Sequence, residues 1–309
     1  MLLDRAAVEA AVSPERAVDA VREAFVAHAR GEWTMPPKVY VTNYPAGDFR
    51  AMPALGGGHA LLKWITSFPG NPVRGLPTVT GVVLVSDASP GELRAVLDAA
   101  SVTALRTGAA AVLAAEVLGR ADAETAAVVG AGVNGRAAAR TFLARGRGVA
   151  LWDVDAERAT RVAEELGCDV ASSREEALGA DLLVTVTPGR EVLLGEGSLR
   201  PGQHVSLMGA DGPGKAEAAG VELAQARLFC DDWEQASHGG ELAHAVEDGL
   251  VGHSDVTAIG DVLARTAPGR SSDDEITMFD STGLAIQDLA IALAALEAAD
   301  PDALPRLEL

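Results

Sequence analysis

The chain has 309 residues, 48% of them hydrophobic but only 4% aromatic. That length sets a prior of two domains, each large enough for its own core, and an aliphatic composition suits helices laid on a sheet. A formal net charge of −19 excludes nucleic acid and anionic membranes as main partners, because the field of the whole chain repels both. For the same reason an anionic substrate needs locally placed Arg or Lys.

The N-terminus meets charge at Asp4 and Arg5 before any apolar core forms, so it does not read as a signal peptide. No uninterrupted apolar run is long enough to span a bilayer. The expected location is the cytoplasm. Cys168 and Cys230 stand far apart in no CxxC pattern and read as small buried hydrophobes. The histidines show no metal spacing, His238 and His244 read as surface residues, and no metal is expected.

In chain order, Ser13-Pro14-Glu15 predicts a helix start: an N-cap hydroxyl, proline in the first turn, then an acid. This helix runs through Phe25 to near Gly31. From Lys38 to Ser86 the pattern changes to strands at 38–41, 50–55, 60–65 and 78–85, with Pro69-Gly70-Asn71-Pro72 as a turn. Asp87 to Glu92 reads as a hairpin turn and 93–97 as a further strand. Residues 101–118 form an alanine-rich helix closed by Gly119, which connects two domains. Strands then alternate with helices, at 126–129, 149–152, 168–170, 181–186, 204–208 and 228–230. Such alternation predicts a doubly wound parallel sheet. The last helix, 284–298, is long and apolar and is expected to return to the first region. The expected fold is therefore α/β: a Rossmann-type domain at 106–283, and an α+β substrate and dimerisation domain at 1–105 with 284–309. The active site is expected in the cleft between them.

Gly130-Ala131-Gly132-Val133-Asn134-Gly135 follows the first of these parallel strands and opens a helix. That geometry puts a pyrophosphate on a helix N-terminus, where free N–H groups and the helix dipole favour negative charge. Asp153 closes the next strand, placed to accept hydrogen bonds from adenosine ribose hydroxyls and to repel a 2′-phosphate. This points to NAD(H) rather than NADP(H), with Arg158 the nearest cation in sequence. Thr185 and Thr187 end another strand at the same edge. Thr107, Met208, Ala210 and Gly283 complete the candidate cofactor-lining set.

Three cations sit in apolar context: Arg50, Lys63 and Arg106. Each needs an anionic partner or the surface, and together they suggest a shared pocket for a small carboxylate. Asp211 follows Met208-Gly209-Ala210 at the end of a parallel strand. It is a candidate for proton transfer, with an Asx turn or helix cap as the alternative reading.

These pieces together resemble the ornithine cyclodeaminase/mu-crystallin family over most of the chain. The marks are Lys63-Trp64 with Phe68-Pro69-Gly70-Asn71, Gly75-Leu76-Pro77-Thr78-Val79, Thr103-Ala104-Leu105-Arg106-Thr107, the Gly130 turn, Gly209-Ala210-Asp211 with Pro213-Gly214-Lys215, and Phe279 to Ala285 with Gln287-Asp288. The resemblance implies a dimeric enzyme in which Lys63 and Arg106 hold the substrate, Arg106 through its carboxylate, and Asp211 is the acid/base at the substrate amine. Lys63 is also implied to polarise the keto oxygen or imino-acid carboxylate and to activate water. Cyclodeaminases carry a glutamate where this chain has Arg50 and an arginine where it has Lys38. Lys38 and Arg50 are closer to the alanine dehydrogenase branch and join the substrate-binding set. The expected activity is NAD-dependent oxidative deamination of a small L-amino acid through an imine. The alternatives are an imine reductase or opine-like dehydrogenase, a cyclodeaminase, and a non-catalytic binding protein.

Overall fold

The computed structural model describes residues 1–212, 214–302 and 304–305. In chain order the elements begin with β1 (Leu2–Leu3), α1 (Arg5–Ala11), α2 (Pro14–Ala29), β2 (Val39–Asn43), β3 (Gly47–Gly56) and β4 (His59–Ser67). They continue with β5 (Val79–Asp87), β6 (Leu93–Asp98), α3 (Ala99–Leu118), β7 (Ala126–Val129), α4 (Val133–Ala144) and β8 (Ala150–Trp152). Next come α5 (Ala156–Leu166), β9 (Asp169–Val170), α6 (Arg174–Leu178), β10 (Leu182–Thr185), β11 (His204–Leu207) and α7 (Gly220–Gln225). The last are β12 (Arg227–Cys230), α8 (Trp233–Gly239), α9 (Ala243–Glu247), β13 (Val256–Ala258), α10 (Ile259–Leu263), β14 (Thr277–Asp280) and α11 (Ala285–Ala298). The chain divides into two compact units, Met1–Arg106 with Leu284–Leu309, and Thr107–Gly283.

In the first unit a six-stranded sheet runs β1-β6-β5-β4-β3-β2. The β2 to β6 pairs are antiparallel and β1 is parallel to β6. The Ser13 hydroxyl caps α2 by accepting from the Arg16 amide at 3.2 Å, with Pro14 in the first turn. Along β4 the side chains alternate, so Leu61, Lys63 and Ile65 are buried while Leu62 and Trp64 face outward. α11 packs on α2 and on the buried face of β3 and β4. It is apolar on nearly every side, and residues Ala285 to Ala292 are all buried, as a helix enclosed by protein requires. β1 and α1 were not legible in the sequence: one is two residues and the other seven, too short for either period to register.

In the second unit an eight-stranded, wholly parallel sheet runs β13-β12-β14-β11-β10-β7-β8-β9. Successive strands run outward from β7 on one side, and β10 begins the other, so the order reverses between β7 and β10. Ligands of such sheets bind outside the carboxyl ends of the strands at that reversal. β13 and β14 were not predicted, yet β14 sits between β11 and β12 with all its residues buried. Helix α3 has the length and hydropathy to suit a bilayer, but 72% of its apolar window is buried inside the protein.

The centre of this sheet contains a wholly buried histidine. His204 on β11 places Nε2 3.0 Å from the Ser206 hydroxyl and Nδ1 2.9 Å from the Thr277 hydroxyl. Ser206 donates its one proton to the Ala111 carbonyl at 2.9 Å, so it accepts from the His204 Nε2–H. Arg270 donates to the Thr277 hydroxyl at 2.9 Å. Burial, and then the Arg270 charge, push the imidazole down to about 3 from an ordinary 6.5. The folded state therefore resists a proton that the unfolded chain takes up, and stability is full above pH 6.5 and falls as pH drops toward 3. Chemical denaturation at pH 7 and pH 4 checks this: wild type loses on the order of 3 kcal/mol more than His204→Gln over that interval.

Candidate active site

The glycine turn opens at the end of β7. Gly130 has φ +107°, and a Cβ there would lie 2.7 Å from the Val186 carbonyl oxygen at the end of β10. Gly135 in the first turns of α4 faces back onto the same turn, where a Cβ would overlap the Gly130 carbonyl oxygen. Gly132 is the N-cap of α4; no side chain caps that helix, and nothing lies within 4 Å of where its Cβ would be. Val133 is exposed and Asn134 half-buried in this uncapped turn. A bare helix N-terminus behind a glycine opening fits a dinucleotide pyrophosphate.

Asp153, 9% exposed at the end of β8, braces this turn. Its Oδ2 accepts from the Ala131 amide at 2.7 Å and its Oδ1 from the Asp155 amide at 2.9 Å. Arg158 stands 3.5 Å from the same Oδ1 and 3.2 Å from Asp155. Because Gly135 has no room for a methyl group, Gly135→Ala shifts the turn and lowers NADH affinity by more than about tenfold, equivalent to ~1.4 kcal/mol. Fluorescence titration with NADH checks this.

The loops after β10 and β11 share an anchor that sequence reasoning missed. Glu217 is fully buried. Its carboxylate accepts from the Thr185 hydroxyl at 2.7 Å, the Thr187 amide at 2.7 Å, the Thr187 hydroxyl at 2.8 Å and the Gly209 amide at 2.9 Å. Thr185 and Thr187 thus direct their hydroxyls at Glu217. The only signal in the sequence was an acid inside Ala216-Glu217-Ala218-Ala219. Glu241 accepts from the amides of Glu217 and Ala218 at 2.7 and 2.6 Å. Burial, then the Glu217 charge, raise the Glu241 carboxyl to about 8. Asp280 is raised well above the carboxylate range by burial, then by Asp231 and Glu241. Asp231 in turn accepts from the Gly283 amide at 2.8 Å and from the Ser281 and Thr282 hydroxyls at 3.1 Å each. Met208 and Ala210 are buried beside this network, and Asp211, half-buried, pairs with Lys215. Pro213 of the same motif lies outside the described residues.

In the first unit the three cations come together with two carboxylates. Lys63 Nζ donates to Asp288 Oδ1 at 2.8 Å, with side chains 1% and 0% exposed. Arg106 Nε stands 3.6 Å from the same oxygen. Arg50 on β3 donates to Asp48 at 2.6 Å and lies over the Tyr40 ring. Lys38 is half-buried just ahead of β2. Lys63 is lowered from 10.5 to about 8: burial lowers it most, Asp288 opposes, and Arg106 and Arg50 lower it further. Asp288, whose position in an apolar helix gave no sign of a partner, supplies the counter-charge that Lys63 needs. With every group ionised, Lys63, Arg106 and Arg50 outnumber Asp288 and Asp48 by one positive charge. Thr107, the first residue of the second unit, is buried and its hydroxyl has no hydrogen-bond partner among the described residues.

Two expectations of surface position divide. His238 is exposed, but His244 is half-buried and both its ring nitrogens are shielded from water, because α9 lays it against Gly220 at the start of α7. Cys230 is buried and Cys168 half-buried, and burial raises both thiols. Among the described residues no cluster of His, Cys, Asp and Glu has the spacing of a metal site.

The model of the ornithine cyclodeaminase/mu-crystallin family matches residues 1–301, and the chain belongs to that family. It is 42% identical over 304 residues to an alanine dehydrogenase of Archaeoglobus fulgidus, which covers 96% of this chain and 94% of the relative. The fold matches an archaeal alanine dehydrogenase dimer with bound NAD at TM-score 0.91 and 42% identity, over 96% of this chain and 95% of that one. It matches the Thermococcus litoralis Δ1-pyrroline-2-carboxylate reductase, solved with NADH and L-proline, at TM-score 0.90 and 26% identity, over 96% and 97% of the two chains.

Proposed function

We propose that this protein is an NAD(H)-dependent dehydrogenase of a small L-amino acid such as alanine, working through an imine. The observation that carries the reading is the buried charge cluster of the first unit, with Arg50 and Lys38 in place of the cyclodeaminase glutamate and arginine. Position 50 itself offers a diamino acid's distal amine no acid, and the named cations outnumber the named carboxylates, which suits a monocarboxylate. The 42% identity to an alanine dehydrogenase over nearly the whole chain supports the same reading.

NAD(H), when bound, supplies or accepts the hydride at the α-carbon. The uncapped N-terminus of α4 would hold its pyrophosphate, and Asp153 would meet the adenosine ribose. Arg106 and Arg50 hold the substrate carboxylate. Lys63 polarises the keto oxygen and activates the water that hydrolyses the imine. Asp211 moves the proton on nitrogen, with Lys215 holding its carboxylate. The second reading is reduction of a cyclic imino acid, favoured by the likeness to a pyrroline-carboxylate reductase.

A homodimer is part of the proposal. Val39, Ala51, Trp64 and Val82 are cross-strand neighbours on the outer sheet face. Val39 is 56%, Trp64 39% and Val82 40% exposed, an apolar row of the kind that a second copy covers. The same reading makes the protein a soluble enzyme of amino-acid metabolism in the cytoplasm. Sedimentation as a monomer at micromolar concentration counts against the dimer.

NADH consumption with pyruvate plus ammonia, compared with small cyclic imines, decides between the two reductive reactions, while ammonia release from ornithine and lysine tests cyclodeamination. Pyruvate plus ammonia is expected to be the productive pair; proline formed from ornithine without net NAD reduction overturns the reading of Arg50. Asp211→Asn retains NADH binding and loses turnover by at least about 100-fold; full activity in this variant removes Asp211 from proton transfer. NADPH binding as tight as NADH overturns the role of Asp153.

A further inference from the structure

Of the 25 Lys and Arg residues, only Lys38, Lys63 and Lys215 are lysines. Nearly every cation in this chain is an arginine, including those on exposed helix faces where either residue serves. Arginine stays charged under all working conditions, whereas a lysine ammonium gives up its proton when buried. Lys63 is the most deeply buried of the three. β3 brings Arg50 with Asp48, α3 brings Arg106, α11 brings Asp288, and the register partners Met52 and Val83 on β3 and β5 are apolar. The Asp288 carboxylate uses Oδ1 for Lys63, while its Oδ2 is buried with no hydrogen-bond partner among the described residues.

We propose that Asp288 is a positioning residue that fixes Lys63 and sets its proton occupancy, so that the pair, rather than the lysine alone, handles protons in the first unit's charge cluster. Its part in turnover rests on the amino-acid dehydrogenase reading. The electrostatics give the pair a direction. Across Lys63, Arg106, Arg50, Asp288 and Asp48 the charges sum to plus one with Lys63 protonated and to zero with Lys63 neutral. An arriving substrate carboxylate keeps the proton on Lys63, and departure of that carboxylate frees it. Asp288 opposes release and Arg106 promotes it, so a lysine that burial alone would discharge stays near its midpoint in weakly alkaline solution.

Lysine labelled with 13C at Cε gives three resonances in the full-length protein, assigned with Lys38→Arg and Lys215→Arg. The Lys63 resonance is expected to titrate near pH 8 in wild type. In Asp288→Asn it is expected at least about one pH unit lower, because the opposing charge is gone. Arg106→Gln is expected to move it the other way, and this keeps the test decisive if Asp288→Asn fails to fold. A midpoint unmoved by either substitution, or an ordinary value of about 10.4 in wild type, overturns the proposal. The titration needs no substrate, so it stands whichever reaction the substrate panel supports. In turnover, the corresponding limb of the kcat profile follows the Lys63 midpoint; a limb that stays put while the midpoint moves removes the pair from proton handling.

Discussion

The buried ion pair between Lys63 and Asp288 is the constraint around which the first unit is arranged. Taking two charges out of water costs several kcal/mol per ion, and their attraction offsets this only with close geometry and further partners. At 2.8 Å the Lys63–Asp288 geometry is close and Arg106 adds a second cation 3.6 Å from the same oxygen, while Asp288 Oδ2 has no hydrogen-bond partner among the described residues. Truncating one member leaves the other as an uncompensated buried charge, a loss of about 3–5 kcal/mol. The nearly uniform burial of α11 follows from the same constraint, because a helix that delivers a carboxylate to the inner sheet face must itself lie inside.

The second unit applies the opposite arrangement to its loops. There a buried carboxylate, Glu217, receives N–H and O–H donors in place of a cation. Backbone amides point permanently in one direction, so such a carboxylate fixes the loops that converge on it. The turn at Gly130 works by absence: an uncapped helix end and a missing Cβ leave room for negative charge. One edge of one parallel sheet therefore carries both a buried carboxylate held by its donors and a helix end that no side chain caps.

Much of this was legible in the sequence. The glycine turn, the alternating strands and the isolated cations each reflect a local rule: a positive φ, a period, a charge in apolar company. The two-residue β1 and the four-residue β14 are too short for a period, and their place in the sheets is set by long-range pairing. Glu217 and Asp288 were hidden for a related reason. An acid in an alanine-rich stretch looks like any solubilising residue until the fold shows what donates to it. Lys63 announced that it needed an anion, but which carboxylate served, 225 positions away, was decided by the chain's return.

That return has a consequence for how the protein is made. The first unit is assembled from residues 1–106 and a segment beginning at Leu284, with the whole second unit between them. Domains emerging from the ribosome fold as units, N-terminal first. Here the nascent sheet meets its two cations long before its carboxylate exists. Until α11 is released, Lys63 and Arg106 lack Asp288 and the face of β3 and β4 lacks its cover. The second unit, whose sheet is complete within one continuous stretch, is then the part able to fold first, and the N-terminal third of the chain waits for the last helix to be synthesised.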